Sequence, residues 1–178
     1  AYHPFDGGAE VEVKEITDRI GDAEFHLVTV NIDGRQKKQE RMGNVMVYRV
    51  GVGYLGKVFF PFLGLWKGLS LHRIHRFDLS WSIMASYAGF AALFFSYIKP
   101  GVPFVLTLQE GDPLLHIQKR IWYLYPLFLQ IFRRADRIQV ISNYLADLAR
   151  GRGAQVPIEV IPNGVDVSLF EHDTSANE

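Results

Sequence analysis

Short segments rich in β-branched and aromatic residues alternate along this chain with longer segments of helical periodicity, and that alternation restricts the fold more than any other feature. "AEVEVKEITDRIG" sets Ala9, Val13, Ile16 and Ile20 on one helical face before Gly21, the spacing of an amphipathic helix with a natural stop. "EFHLVTVN" reads as a strand, Asp33-Gly34 as a turn into the polar run "RQKKQERMG", and "NVMVYRV" as a second strand. "FDLSWS" leads into an apolar helix from Ile83 that Pro100 and Gly101 end, and "PFVLTLQ" is the most apolar strand. A helix through Lys119 to Arg134 follows, then the strand "RIQVIS", the helix "NYLADLAR" stopped at Gly151, and the strand "IEVIP", whose residues Ile158 to Ile161 read as buried. Strands separated by helices of this length predict an α/β fold, a Rossmann-like doubly wound parallel sheet with helices on both faces.

The chain of 178 residues suits one domain with a real core, and its 48% apolar and 21% charged content marks it as globular. Nineteen basic and nineteen acidic residues cancel, which removes any global argument for a nucleic-acid partner. The absence of cysteine excludes disulfides and thiolate metal sites, and it fits a reducing, cytoplasmic setting. "AYHPFDGG" lacks the basic start and apolar core of a signal peptide. The apolar run Ile83 to Ile98 is shorter than the ~20 residues a membrane span needs, and Ile121 to Phe132 is shorter still and carries Pro126.

Ligands of a doubly wound sheet bind beyond the carboxyl ends of its strands. The loops at issue are therefore Gly51 to Gly56, Gln109 to Pro113, Ser142-Asn143, Asn163-Gly164, and "HPFDGG" at the entry to the first helix. "GVGYLG" (Gly51 to Gly56) is a literal G-x-G-x-x-G after a strand, with Asp78 further on. A dinucleotide site would need a helix to open there and its acidic residue to end the next strand. Pro61 stands where that helix should be established and Asp78 begins its strand, so the segment reads as a glycine-bearing loop and the nicotinamide-enzyme reading is set aside.

The stretch from Ala135, "ADRIQVISNYLADLARGRG" and then "IEVIPNGVDVSLF", resembles the group 1 (family 4) glycosyltransferases, with a Phe (Phe170) four residues past the Asp of "IPNGVD". "FDGGAE" is similar to that family's Gly-Gly loop and first helix, and "GVPFVLTLQE" to its G-x-P-x-V-x-T-x-H-D segment. The resemblance covers essentially the whole chain. It implies two Rossmann-like domains facing across a cleft, of which residues 1–166 are the amino-terminal, acceptor-binding one and 167–178 the start of the interdomain linker. The carboxy-terminal, donor-binding domain with its paired glutamates lies outside this sequence. The family's first strand precedes the Gly-Gly loop, and its loss from the middle of the sheet would leave two rows of unpaired backbone groups.

The function so implied is retaining hexosyl transfer from a nucleotide-sugar to an acceptor, including lipid-linked and polysaccharide-precursor acceptors. No metal or other cofactor is expected, and this chain alone is expected to be inactive. By resemblance, the loop of Gly7 and Gly8 approaches the nucleotide-sugar phosphates and the acceptor. Free N–H groups at a helix start suit an anion on general grounds, while an ordinary glycine turn capped by Asp6 is the plain alternative. Gln109, Glu110 and Asp112 follow the most apolar strand, where such a sheet presents ligands. The family usually has His and then Asp at the positions of Gln109 and Glu110. A neutral amide cannot transfer a proton as imidazole can, which leaves Gln109 to orient a hydroxyl and Glu110 to act as base or electrostatic partner; Glu110 capping a loop is the alternative. Ser142 reads as a helix cap aimed at the same cleft, and Asn163 and Gly164 as shaping a hinge.

The six histidines are expected to make no metal site: His72 and His75 stand three apart, no carboxylate or cysteine is expected to accompany them, and they read as part of a basic helix face. Residues 54–76 mix Phe59, Phe60, Phe62 and Trp66 with Lys57, Lys67, Arg73 and Arg76. That mixture suits an anionic membrane surface at the inner face of the membrane, or a flap packed on the sheet or on the absent domain. A different class of function is a non-catalytic subunit that holds an acceptor and recruits a separate donor-binding chain.

Overall fold

The structure is a computed structural model and describes residues 7–109 and 124–164. Two sheets form. The first runs through β1 (Phe25–Asn31), β2 (Gln39–Met42) and β3 (Val45–Val52) in the order β1-β3-β2, with β1 parallel and β2 antiparallel to β3. The second is wholly parallel, in the order β4 (Ser80–Ile83), β5 (Phe104–Leu108), β6 (Arg137–Val140) and β7 (Ile158–Val160). Six helices flank them among the described residues: α1 (Gly8–Arg19), α2 (Gly53–Val58), α3 (Phe60–His75), α4 (Tyr87–Ile98), α5 (Tyr125–Arg134) and α6 (Asn143–Gly151). The α/β architecture with a parallel four-stranded sheet is thus the one that the alternation of segments predicts. β1 and β4 are each the terminal strand of their sheet, so each carries one edge unpaired by any described strand.

The period-2 alternation of the strands decides which helix covers which face. In the first sheet Phe25, Leu27, Val45 and Val47 face Val13 of α1, and Trp81 and Ile83 of β4 join the same cluster. Val28, Val30 and Val50 point the other way, against Phe60 of α3 and Ala91 of α4. The larger core belongs to the second sheet. Phe104, Leu106, Leu108, Ile138 and Val140 pack with Phe90 and Leu93 of α4, with Phe128, Ile131 and Phe132 of α5, and with Leu145, Ala146 and Ala149 of α6. Complete burial of side chains such as Phe104, Phe128 and Phe132 stabilises the fold by about 1.5–3 kcal/mol each.

Several buried polar groups tie the strands together. Thr107 Oγ1, fully buried, accepts from Trp81 Nε1 at 2.8 Å and donates to Gln139 Oε1 at 2.9 Å, a thread across β4, β5 and β6. Phe104 N donates to the Asp136 carboxylate at 2.8 Å while Asp136 N donates to Phe104 O at 2.8 Å, which sets the register at the start of β5. In the first sheet the buried Arg49 guanidinium bonds the Glu40 carboxylate and donates to Lys37 O at 3.1 Å, tying β3 to β2.

Three expectations need correction. "GVGYLG" is not a loop. The short helix α2 opens at Gly53, and Pro61 falls in the first turn of the separate helix α3, where its missing N–H costs nothing. The polar run "RQKKQERMG" contains β2, whose exposed Gln39 and Arg41 and half-buried Glu40 and Met42 give no apolar alternation to read. The last strand is an edge, with Ile158 half-buried and Val160 and Ile161 exposed at 40% and 49%. The expected helix from Lys119 falls partly on residues 110–123, which lie outside the described residues; its described part is α5.

Candidate functional site

Because β4 to β7 are parallel, the residues that follow them share one edge of the second sheet. Gln109 follows β5, Ile141 and Ser142 follow β6, and Asn163 and Gly164 come after β7. Ser142 is the N-cap of α6: its extended backbone presents Oγ, which accepts from Leu145 N at 3.4 Å. The capping role expected of it is therefore occupied. Asn163 and Gly164 are exposed. Glu110 and Asp112, together with Asp6, Asp166 and Phe170, lie outside the described residues.

The start of α1 comes to the same place. Gly7 is its N-cap in extended backbone (φ −102°, ψ 177°), and Gly8 opens the helix; both are exposed. The Glu10 carboxylate reaches back and accepts from Gly7 N at 3.2 Å. A Cβ at Gly7 would lie 2.6 Å from that carboxylate oxygen, whereas one at Gly8 would meet nothing within 4 Å. One turn into the helix, the half-buried Glu12 carboxylate accepts a hydrogen bond from Gln109 Nε2. That contact is the link between the Gly-Gly helix start and the end of β5. Glu12 went unremarked in the sequence because its partner lies far along the chain and nothing local distinguishes it from the other acidic residues of α1.

A second residue at this edge was also missed. Met84, just after β4, has φ 69°, a left-handed conformation that a non-glycine residue adopts at a cost. It is held there by its N–H, which donates to Thr107 O at 2.8 Å, and by Ser82 Oγ, which donates to Met84 O at 3.4 Å. Reading Ile83 as the beginning of a helix conceals this loop. The observed helix α4 begins at Tyr87, after Ser86.

The "GVGYLG" glycines serve packing. Gly51 has φ 68°, and a Cβ on it would lie 2.7 Å from Gly56 Cα, so β3 and α2 touch backbone to backbone. A side chain at either position would separate them.

The aromatic-basic region resolves into two helices. Phe60 is core, whereas Phe59, Phe62 and Trp66 fall on one exposed stripe, with Tyr54 and Leu55 of α2 alongside; Trp66 is 70% exposed. Two of the cations expected to face outward lie over rings of the protein instead. Lys67 Nζ sits 4.4 Å from the centroid of Tyr48 and Lys57 Nζ 6.0 Å from that of Tyr87. Arg73 and Arg76 are exposed. No helix of the described residues is long and apolar enough to cross a membrane.

An α/β fold with a glycine-led helix start meeting the carboxyl edge of a parallel sheet belongs to the class of structures that bind ligands at that edge. The match to known proteins agrees: residues 6–169 fit the model of Glycosyltransferase Family 4, and the chain belongs to that family. It is also similar to an uncharacterized glycosyltransferase of Methanocaldococcus jannaschii, at 23% identity over 191 residues. That alignment covers 99% of this chain and 48% of the relative, so the chain spans about half the length of the curated relative it matches. The resemblance drawn from "IPNGVD" and the Gly-Gly loop is thereby borne out at the level of the family.

Proposed function

We propose that this chain is the amino-terminal, acceptor-binding half of a retaining glycosyltransferase that uses a nucleotide-sugar donor. The observation that supports this most is the convergence of the Gly7-Gly8 helix start and Gln109 through the Glu12 carboxylate. In the reaction the bond from the anomeric carbon to the donor phosphate breaks, and its electron pair leaves with the diphosphate. The acceptor oxygen bonds to the same face of the sugar and gives up its proton. The start of α1 offers backbone N–H groups and the positive end of a helix to the phosphates, although the Glu10 carboxylate must first release Gly7 N. Gln109 orients a hydroxyl. Beside it the Glu12 carboxylate, and Glu110 beyond, are groups able to take the acceptor proton. Stabilising the leaving diphosphate rests on positioning and fixed dipoles, with no metal in the reaction.

A carboxy-terminal domain holds most of the donor, Asn163-Gly164 turns the chain toward it, and this chain alone turns over no sugar. The exposed stripe of Phe59, Phe62 and Trp66 supports a further reading, in which the protein docks on an anionic membrane surface at the cytoplasmic face and meets a lipid-linked acceptor there.

The test is transfer by the complete protein from a panel of labelled nucleotide-sugars, with product configuration read by NMR, beside the same assay on this chain alone. Retention of configuration by the full protein and silence of the isolated chain are expected. Inverted product, or turnover by the isolated chain, would sink the proposal.

A further inference from the structure

At the opposite end of the first sheet, the fold gathers three residues that the sequence keeps far apart. Glu24 immediately precedes β1, His26 is its second residue, and His75 ends α3. Their ligand atoms all lie within 4.8 Å of one another. The expectation that no carboxylate accompanies His75 is therefore corrected: Glu24 is its neighbour in space, and His26, not His72, is the second imidazole. One backbone feature and one side chain produce this. Arg76 closes α3 in a left-handed conformation (φ 55°), with its N–H donating to His72 O at 3.0 Å, and this fixes where the helix stops. Phe77 then packs on both imidazoles, with ring centroids 5.2 Å from His26 and 6.2 Å from His75.

The state of His26 is the decisive observation. Its side chain is only 4% exposed, and its Nε2 has no hydrogen-bond partner although Glu24 Oε1 is 3.1 Å away. The carboxylate thus lies off the line that a proton on Nε2 would take. Nδ1 stands 3.2 Å from the Tyr48 hydroxyl; in the tautomer whose Nδ1–H donates to that oxygen, Nε2 is a bare lone pair. Two lone-pair atoms this close repel unless a cation lies between them. A separation of 3.1 Å is also near the about 3.3 Å between two ligands of one tetrahedral zinc ion with bonds of ~2.05 Å. The His75 ring, 4.0 Å from that of His26 by centroid, supplies a third donor after a small closure.

We propose that Glu24, His26 and His75 form a binding site for a divalent transition metal of the zinc type, which clasps the last turn of α3 to the start of β1. The donor set of two imidazoles and one carboxylate suits zinc and its neighbours, not magnesium or calcium, and leaves a position for water. Tyr48 holds the His26 ring in the metal-ready tautomer, the usual arrangement behind a ligating histidine. The site is structural. α1 runs from the Gln109 contact toward the start of β1, and its 12 residues cover about 18 Å, which sets the clasp apart from the sugar-transfer edge.

The probes are zinc, cobalt and magnesium ions added to the protein after treatment with chelator at neutral pH. Thermal midpoint and, for cobalt, the visible ligand-field spectrum are recorded. Zinc should raise the midpoint, cobalt should show a tetrahedral spectrum, and magnesium should do neither. His75→Ala and Glu24→Gln, both at exposed positions and compatible with folding, should each weaken cobalt and zinc binding at least about tenfold. His26→Ala should abolish binding, but it removes a buried ring, so the two exposed variants decide. No cobalt spectrum at a free concentration of about 10 μM would overturn the proposal, as would affinity unchanged in both exposed variants or an equal response to magnesium.

Discussion

Glu12 of α1 and Gln109 after β5, 97 residues apart in the chain, are joined by a hydrogen bond from the Gln109 amide to the Glu12 carboxylate. A bond to a charged acceptor contributes about 1.5–3 kcal/mol, and here it also fixes the Gly7-Gly8 helix start against the sheet edge. Gln109→Leu in the complete protein should therefore lower kcat/KM by about 10- to 100-fold and also lower the thermal midpoint by several degrees. Glu12→Gln should preserve the contact and remove the proton acceptor, lowering kcat more than it raises KM. Steady-state kinetics on both variants decide, and unchanged kinetics would remove this pair from the site.

Gly51→Ala should destabilise the fold severely. The substitution places a Cβ 2.7 Å from Gly56 Cα and requires a left-handed backbone from alanine. Strain and overpacking together amount to about 2–4 kcal/mol, to be read from urea denaturation midpoints.

Thr107→Val keeps the shape of a buried side chain but strips the thread between Trp81 and Gln139. Two partners are left unsatisfied, and a loss of about 1–3 kcal/mol is expected. Chemical denaturation followed by tryptophan fluorescence would measure it, with an altered native spectrum reporting Trp81.

Acid should weaken the metal-free protein as pH falls through the ordinary histidine value. Burial holds His26 and His72 below 6.5 in the folded state. The unfolded chain then takes up protons first, so stability is full above about pH 6.5 and declines below it until the folded-state values are passed. His72→Gln should flatten that slope, and a pH series of unfolding midpoints in chelator checks it.

Membrane docking predicts a loss on Trp66→Ser and Phe62→Ser. Each removes an exposed aromatic from the α3 stripe and should reduce binding to vesicles of acidic lipid by about 10- to 100-fold, a loss of ~1.5–3 kcal/mol. Wild-type protein that fails to sediment with such vesicles at low salt would end the idea.

The strands of the second sheet and the helices that cover them were legible because buried parallel strands are continuous apolar runs between helical periods. What escaped was decided by tertiary contact. β2 is written in polar residues and exists because Arg49 and Glu40 pair across it. α2 was hidden by Pro61, which belongs to the next helix. Gly7, Gly8 and Gln109 could be chosen from their loops, but Glu12 had no local mark. Sequence spacing pairs His75 with His72, three residues away, whereas the fold pairs it with His26.

The two sheets rest on cores of unequal size, and the two sides of the candidate site are divided between them. Gly7 and Gly8 ride on α1, whose anchor Val13 belongs to a small cluster, whereas Gln109 leaves a strand embedded in the large one. On gentle heating α1 should loosen while the second sheet stays intact. Loss of activity and loss of structure would then be separate events, the first coming earlier and reversing on cooling. A sample that still looks folded by its far-ultraviolet signal could already have ceased to work.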